Sequence, residues 1–428
     1  MMTYKTIQDT VHGSVKLSGP FLEILECPEF QRLHAISQLG LTKLVFPGAN
    51  HTRLEHSIGT YHVAERMAES LDLKSQEKDI IKAAALLHDV GHAPFSHTLE
   101  SILSKETGHD HMDITKKIIT GDLFIEDRDV PIIPDILEKN DIPTEKVADL
   151  IKGKNDNSKL TDFGIHKGQK YFGDEKYLYQ MIHGPMDVDQ LDYLLRDSHY
   201  TGAAHGVIDI ERVLQTIELH NGNLVITKGG VPAVEGVLVA RGLMFSSVYL
   251  HKTTRIAELM LAKAIDKLNE DYEKIYRMTD WELLGYLIHK GGFQAEVVRR
   301  LKYRRLYKKC FSLSSSDQED SNGFDIEDID GISGIRDLEQ DIAKIAHVDE
   351  KCVLIDIPYK ELKLSEPRLS RTDIKILDDG HLYKLSKYSP LGYALQKRPS
   401  QRWILMVSSP YDLREKIAKA VKKKMLSE

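Results

Sequence analysis

A chain of 428 residues carries enough apolar sequence to bury a large core, in two or three lobes. Its formal net charge of −7 argues against non-specific nucleic-acid binding as the main role. Three scattered cysteines (Cys27, Cys310, Cys352) suit a reducing compartment, and no secretory segment or long apolar run stands out, so a soluble cytoplasmic protein with no membrane partner is expected.

Residues 20–120 carry helical periodicity punctuated by Pro47-Gly48 and Gly91. The stretch 121–175 is charged and broken by Pro131, Pro134 and Pro143, which predicts short helices and loops packed beside a site. Helical pattern resumes over 176–200 and from Ile208, and Asn221-Gly222 before residues 223–227 predicts a small hairpin. Residues 233–308 read as helical and end in a basic run, 299–305. Between Ser312 and Gly334 the composition shifts to Ser, Asp, Glu and Gly, so 311–334 is expected to be an acidic loop or linker. Beyond it, 352–358 and 403–407 read as strands, and the last 18 residues as a Lys-rich amphipathic helix. The expected fold is mainly α: a helical core with flanking helices over 1–310 and a smaller α+β lobe over 335–428.

The densest chemistry lies early. Eight of the 19 histidines fall between His51 and His111. His88 and Asp89 end an apolar run, 80–87, and Gly91 follows at once. A buried helix that delivers an imidazole and a carboxylate together has no packing reason to do so, because both are costly to bury without a partner. A divalent metal is the economical partner for neutral His and ionised Asp. In a helix over 187–197, Asp189, Tyr193 and Asp197 share one face at i, i+4 and i+8, with Leu191, Leu194 and Leu195 on the opposite, core-facing side.

The set His56, His88-Asp89 and Asp189 resembles the HD-domain superfamily of metal-dependent phosphohydrolases, and within it the deoxynucleoside triphosphate (dNTP) triphosphohydrolase branch. The resemblance is carried in order by residues 9–13, 30–33, 38–40, 45–49, 51–57, 88–97, 187–202 and 249–252, and spans about residues 3–260. It implies an HD-type helical core with one divalent metal held by His56, His88, Asp89 and Asp189, Asp187 being the rival carboxylate. The sequence does not distinguish Mn, Fe, Co, Ni, Zn or Mg there, and a second Mg²⁺ is expected to travel with the nucleotide. The resemblance further implies His97 as general acid, with His92 and His111 beside it; His109 is the alternative to His111, because Met112 stands where the family has a glutamate. Glu100 either orients one of these histidines or is an ordinary solvated residue.

Arg53, one turn before His56, is expected to bind phosphate through its guanidinium fork. Arg241 resembles a triphosphate ligand; Tyr249 and Lys252 belong to the same substrate-flanking segment; and Tyr193, Gln38, Leu39 and Asp197 match positions beside the sugar and base. The implied reaction converts a dNTP to deoxynucleoside and inorganic triphosphate. A nucleotide effector is expected at Lys5, Gln8, Glu26 and His34, where Glu26 and His34 replace a family Asp and Arg; at the metal site, after Asp189, Gln190 replaces a family lysine and removes one phosphate-facing charge. The branch also implies a homo-oligomer, dimer or tetramer. Two other readings stay open: an HD phosphohydrolase acting on a monophosphate, cyclic nucleotide or alarmone, and a nucleotide sensor or nucleic-acid-binding scaffold using the basic run.

Overall fold

The computed structural model describes residues 4–125, 132–153, 175–268, 270–314, 329, 331–358, 374–397 and 403–425. An antiparallel hairpin comes first, Tyr4–Asp9 against Gly13–Ser18, with Asp9 opposite Gly13. Its alternation buries Val15 and Leu17 and leaves the outer strand open to solvent. The helix Arg53–Ser70 begins at a capping box between Thr52 and Glu55, which satisfies backbone donors at its first turn. It packs on Ser75–Leu87, whose Ile80, Ile81, Ala83, Ala84, Ala85, Leu86 and Leu87 are all buried. Small alanines let the two helices approach closely while their leucine and isoleucine neighbours fill the core. The short helices His97–Thr107 and His111–Thr120 follow, each closed by a glycine in the left-handed region, Gly108 and Gly121.

The helix Val188–Thr201 packs across Arg53–Ser70. It is not two-faced as its leucines suggest: Leu191 and Leu194 are buried, but so are Asp192, Arg196 and Asp197. Charged partners on neighbouring elements, rather than water, satisfy that second side. The apolar helical run Lys228–Tyr249 has the length and composition to cross a membrane, yet Val231, Val234, Val237, Leu238, Met244 and Val248 pack in the core. It loosens into one π-helical turn at Phe245–Tyr249 before Lys252–Asp266.

The hairpin at Asn221-Gly222 forms, joining Ile217–His220 to Asn223–Thr227, with both turn residues at positive φ. Its second strand then pairs in parallel with Lys375–Asp378, which pairs with His381–Lys384. A second sheet orders Lys308–Leu313, Leu405–Ser409 and Leu354–Asp356, both pairings antiparallel. Strand pairing therefore crosses the boundaries drawn from composition at 310 and 334. Residues 315–328 of the expected acidic linker lie outside the described residues; its flanks are the strand Lys308–Leu313 and the helix Gly331–Ile345. Within 121–175, the described helices are Ile133–Lys139 and Thr144–Lys152, and the C-terminal amphipathic helix is Arg414–Met425.

Candidate metal centre

Three elements converge beneath the hairpin. His56, one turn into its helix, directs Nδ1 at Asp192 Oδ2 (2.7 Å) and Nε2 at Asp189 Oδ1 (2.9 Å). His88 ends the helix Ser75–Leu87, and its Nδ1 donates to the Ala85 carbonyl at 2.8 Å. A carbonyl only accepts, so the proton sits on Nδ1 and the Nε2 lone pair is left over. That Nε2 is buried and makes no hydrogen bond among the described residues, although Asp89 Oδ1 lies 3.3 Å and Asp189 Oδ1 3.8 Å away. His56, His88 and Asp189 each offer an atom within 4.8 Å of the others, the spacing of ligands around one ion. Asp89 approaches the same pair, Oδ2 standing 3.8 Å from His56 Nε2, while Arg53 pairs with that carboxylate. A buried lone pair facing two carboxylates fits a divalent cation.

The carboxylates around His56 make the site strongly negative, so a proton on its imidazole and a divalent cation compete for one place. Burial pulls the His56 imidazole down, but its hydrogen bonds to Asp189 and Asp192 outweigh burial and lift its pKa to about 10. Asp187 behaves oppositely, held well above the carboxylate range by burial and by the neighbouring Asp189 charge. Asp187 Oδ1 accepts from the Gln190 amide at 2.8 Å and caps its helix, so Asp189 is the carboxylate that faces His56.

A histidine cluster lies alongside. His92 Nε2 is 3.2 Å from Asp89 Oδ1, and its ring stacks on His111 with centroids 4.0 Å apart. Glu100 accepts from His97 (3.3 Å) and from His111, so it orients both imidazoles. Burial and the Arg53 charge hold His92 well below its ordinary pKa. Burial also lowers His111, but Glu100 outweighs it and the net shift is upward. One stacked ring is thereby biased neutral and the other cationic. His109 points elsewhere, to Lys117 at 2.8 Å.

Arg53 is fully buried: Nε donates to Ser96 Oγ (2.5 Å), NH1 pairs with Asp89, and NH2 has no hydrogen-bond partner among the described residues. Gln38 Oε1 is also buried and has no hydrogen-bond partner among the described residues. With the Gln190 amide in its satisfied orientation, its oxygen accepts from Arg241 NH1 at 2.9 Å, which places Arg241 over the first turn of the Asp189 helix. Asp197 accepts from His51 (2.8 Å) and Tyr249 (2.7 Å), and Tyr193 meets Tyr249 edge-on at 6.2 Å. Leu39 packs against the core; Lys252 is exposed at the start of its helix. In the expected effector segment, Lys5 and Glu26 pair at 3.5 Å, Gln8 accepts from Ser14 (3.1 Å), and His34 is exposed.

Sequence reasoning missed the support behind His56. Asp192 is fully buried and bonds His56, His12 Nε2 (2.6 Å) and both sides of the Arg196 fork (2.8 and 2.9 Å). Arg196 also reaches Asp9 of the first hairpin at 2.9 Å. Gly59 makes room: a Cβ there would lie 1.9 Å from Asp192 Oδ1. The signal that could have found the pair is its i, i+4 Asp–Arg spacing in a helix otherwise rich in leucine.

Fold and site together define a helical scaffold with a candidate metal centre. The HD domain family matches residues 53–197, and the HD associated region matches residues 208–427, more than half of the chain. An uncharacterised protein of Methanocaldococcus jannaschii is 31% identical over 436 residues, covering 99% of this chain and 84% of that protein. The deoxynucleoside triphosphate triphosphohydrolase SAMHD1 homolog of Dictyostelium discoideum is 28% identical over 330 residues, 71% of this chain but only 59% of that protein's length. The crystal structure of a hypothetical protein from Aquifex aeolicus matches with a TM-score of 0.73 at 28% identity, covering 98% of this chain and 100% of that one. The chain belongs to the HD-domain family.

Proposed function

We propose that this protein hydrolyses dNTPs to deoxynucleoside and inorganic triphosphate, using one divalent metal held by His56, His88, Asp89 and Asp189. The observation that carries the reading is the orphaned His88 Nε2 facing two carboxylates, one of them paired with an Arg53 guanidinium whose NH2 has no hydrogen-bond partner among the described residues. The relatives named as dNTP triphosphohydrolases supply the substrate class. A divalent metal held by His56, His88, Asp89 and Asp189 would supply Lewis-acid polarisation of a phosphoryl group and a more acidic water. Arg53 and Arg241 take the charge of the phosphoryl oxygens, and a substrate with about four negative charges brings its own Mg²⁺. His97, oriented by Glu100 and backed by His92 and His111, gives its proton to the departing 5′-oxygen. Tyr193 packs against the deoxyribose so that a 2′-hydroxyl finds neither room nor partner, with Gln38, Leu39, Asp197, Tyr249 and Lys252 completing the nucleoside pocket.

The test is a panel of the four dNTPs with product analysis and metal content measured on the same preparation. Triphosphate release is expected, with ribonucleotides far slower; release of pyrophosphate or orthophosphate overturns the reading in favour of another HD phosphohydrolase reaction. His88→Ala and Asp189→Ala should each lose both metal and turnover while keeping the fold.

Regulation belongs to the same reading. A nucleotide effector would pair its phosphates with Lys5, with Gln8, Glu26 and His34 reading sugar and base, at a contact between chains of a homo-oligomer in the cytoplasm. Because His34 lacks a guanidinium fork, guanine selectivity should be weak or altered. Titrating each dNTP against turnover of another, while tracking mass by light scattering, checks this; simple hyperbolic kinetics at constant mass refutes it.

A further inference from the structure

The site is closed from behind by a segment that none of its predicted residues belongs to. Asp280, the first residue of the helix Asp280–Lys290, is buried, and its two carboxylate oxygens are divided between two loops. Oδ1 accepts from the Phe95 amide at 2.8 Å, and Oδ2 accepts from the Ser37 amide at 3.0 Å. Both loops carry site residues. Ser37 precedes Gln38, whose own amide is tied to the His51 carbonyl at 3.0 Å. Phe95 precedes Ser96, the hydroxyl that accepts from Arg53 Nε, and Ser96 precedes His97.

The geometry of the second loop needs outside help. Phe95 and Ser96 have φ of 52° and 40°, two successive side-chain-bearing residues in the left-handed region. Such a pair persists only where its surroundings over-determine it. Arg32 supplies a parallel brace: it donates to the Val90 (3.0 Å) and His92 (2.7 Å) carbonyls and to the Met278 carbonyl (2.9 Å), two residues before Asp280. Segment 278–280 is thus fastened to the loop 90–96 at two points, one through a guanidinium and one through a carboxylate.

We propose that Asp280 is a positioning residue for the reaction, fixing the Phe95-Ser96 turn so that Ser96 holds Arg53 and the start of the next helix presents His97. This rests on the proposed phosphohydrolase reading, but the geometry it concerns can also be read without turnover. A carboxylate is required because two amide donors arrive at one side chain; an amide keeps only one acceptor.

The experiment compares the full-length protein with Asp280→Asn, Asp280→Glu, Ser96→Ala and the double variant Asp280→Asn/Ser96→Ala. Metal content, melting, kcat and KM, and the calorimetric affinity for inorganic triphosphate are measured on each. Asp280→Asn should keep its metal and lose about 10- to 100-fold in kcat, more than it changes KM, because misplacement of a catalytic group acts in the transition state. Triphosphate affinity should weaken in step, and the double variant should lose less than the product of the single losses, since both act through Arg53. Asp280→Glu, which keeps both acceptors but displaces them, should fold and show the same kcat loss; it carries the test if Asp280→Asn does not fold. Wild-type kcat and triphosphate affinity per folded molecule in either Asp280 variant, or strictly multiplicative losses, overturn the proposal. Absence of dNTP turnover in the wild type, with triphosphate affinity still dependent on Asp280, sinks the dNTPase reading alone; absence of both sinks the two together.

Discussion

Asp192 carries two imidazoles and a guanidinium on a single carboxylate, and its position decides where His56 points. Its pKa lies well below the usual range: burial opposes ionisation, but the Arg196 charge and its hydrogen bonds outweigh burial. The partner behind a metal-binding histidine fixes its tautomer and ring orientation. Asp192→Asn, which keeps the shape but weakens the acceptor, should therefore lower metal affinity roughly 10- to 100-fold without unfolding the protein. Titration of the metal-free protein with Mn²⁺ reads this directly, and unchanged affinity would remove Asp192 from the site. Arg196→Ala should instead cost about 3–5 kcal/mol of stability, because it strands buried Asp192 and Asp9 without their counter-charge. A urea midpoint that barely moves contradicts this. At this scale the sequence revealed the groups that face outward into the site, since His88-Asp89 and the Asp189 face interrupt apolar patterns. It hid Asp192, because an aspartate between leucines reads as a solvated turn of the helix until its partners arrive from 136 and 180 residues away.

The helices His97–Thr107 and His111–Thr120 meet where Glu100 pairs with His111. Gly91 lets the second helix come this close, since a Cβ there would lie 2.3 Å from the Thr115 amide. Burial raises Glu100, but His111 and His97 outweigh it and hold it well below its ordinary 4.5; His111 is raised above its ordinary 6.5. The signs give a window. Stability from the depressed Glu100 is present above pH 4.5 and lost as pH falls towards its folded pKa. Stability from the raised His111 is complete below pH 6.5 and lost as pH rises through its folded pKa. The pair should thus contribute most between 4.5 and 6.5. Denaturant unfolding of the metal-free protein and its Glu100→Gln variant should differ by about 2 kcal/mol inside that window and converge on either side. A difference independent of pH would mean that Glu100 acts by packing alone. The helical character of this stretch was legible from periodicity; the ion pair between the two helices was not, because Glu100 at i+3 from His97 suits a solvated face equally well.

Across the whole molecule, the residues beyond 310 build a core of their own, Leu313, Ile342, Val407 and Val421 among them, and also reach into the core that holds the site. Ile376, Leu385 and Met406 are fully buried in the same core as Leu86 and Leu194, and the strand Lys375–Asp378 extends the hairpin at 217–227. Polar ties run with the apolar ones. Asp356 accepts from Arg255 (2.8 Å) and from the Trp403 indole (3.1 Å), and Lys263 pairs with Glu339, both cations lying on the helix Lys252–Asp266. The composition shift at 312–334 marked a change in local chemistry but carried no information about strand pairing, which depends on partners some 150 residues apart. Separating residues 1–310 should expose the apolar face that Ile376, Leu385 and Met406 cover, at about 2 kcal/mol for each such side chain removed. It would also leave the strand Asn223–Thr227 with an open edge and Lys263 buried without its carboxylate. A natural domain has some 5–15 kcal/mol in all, so this fragment should show no cooperative melting and should bind a dye for exposed apolar surface. If fragment 1–310 instead melts sharply and keeps its metal, the C-terminal third is an appendage, and the tie between the two halves of the chain is dispensable for the site.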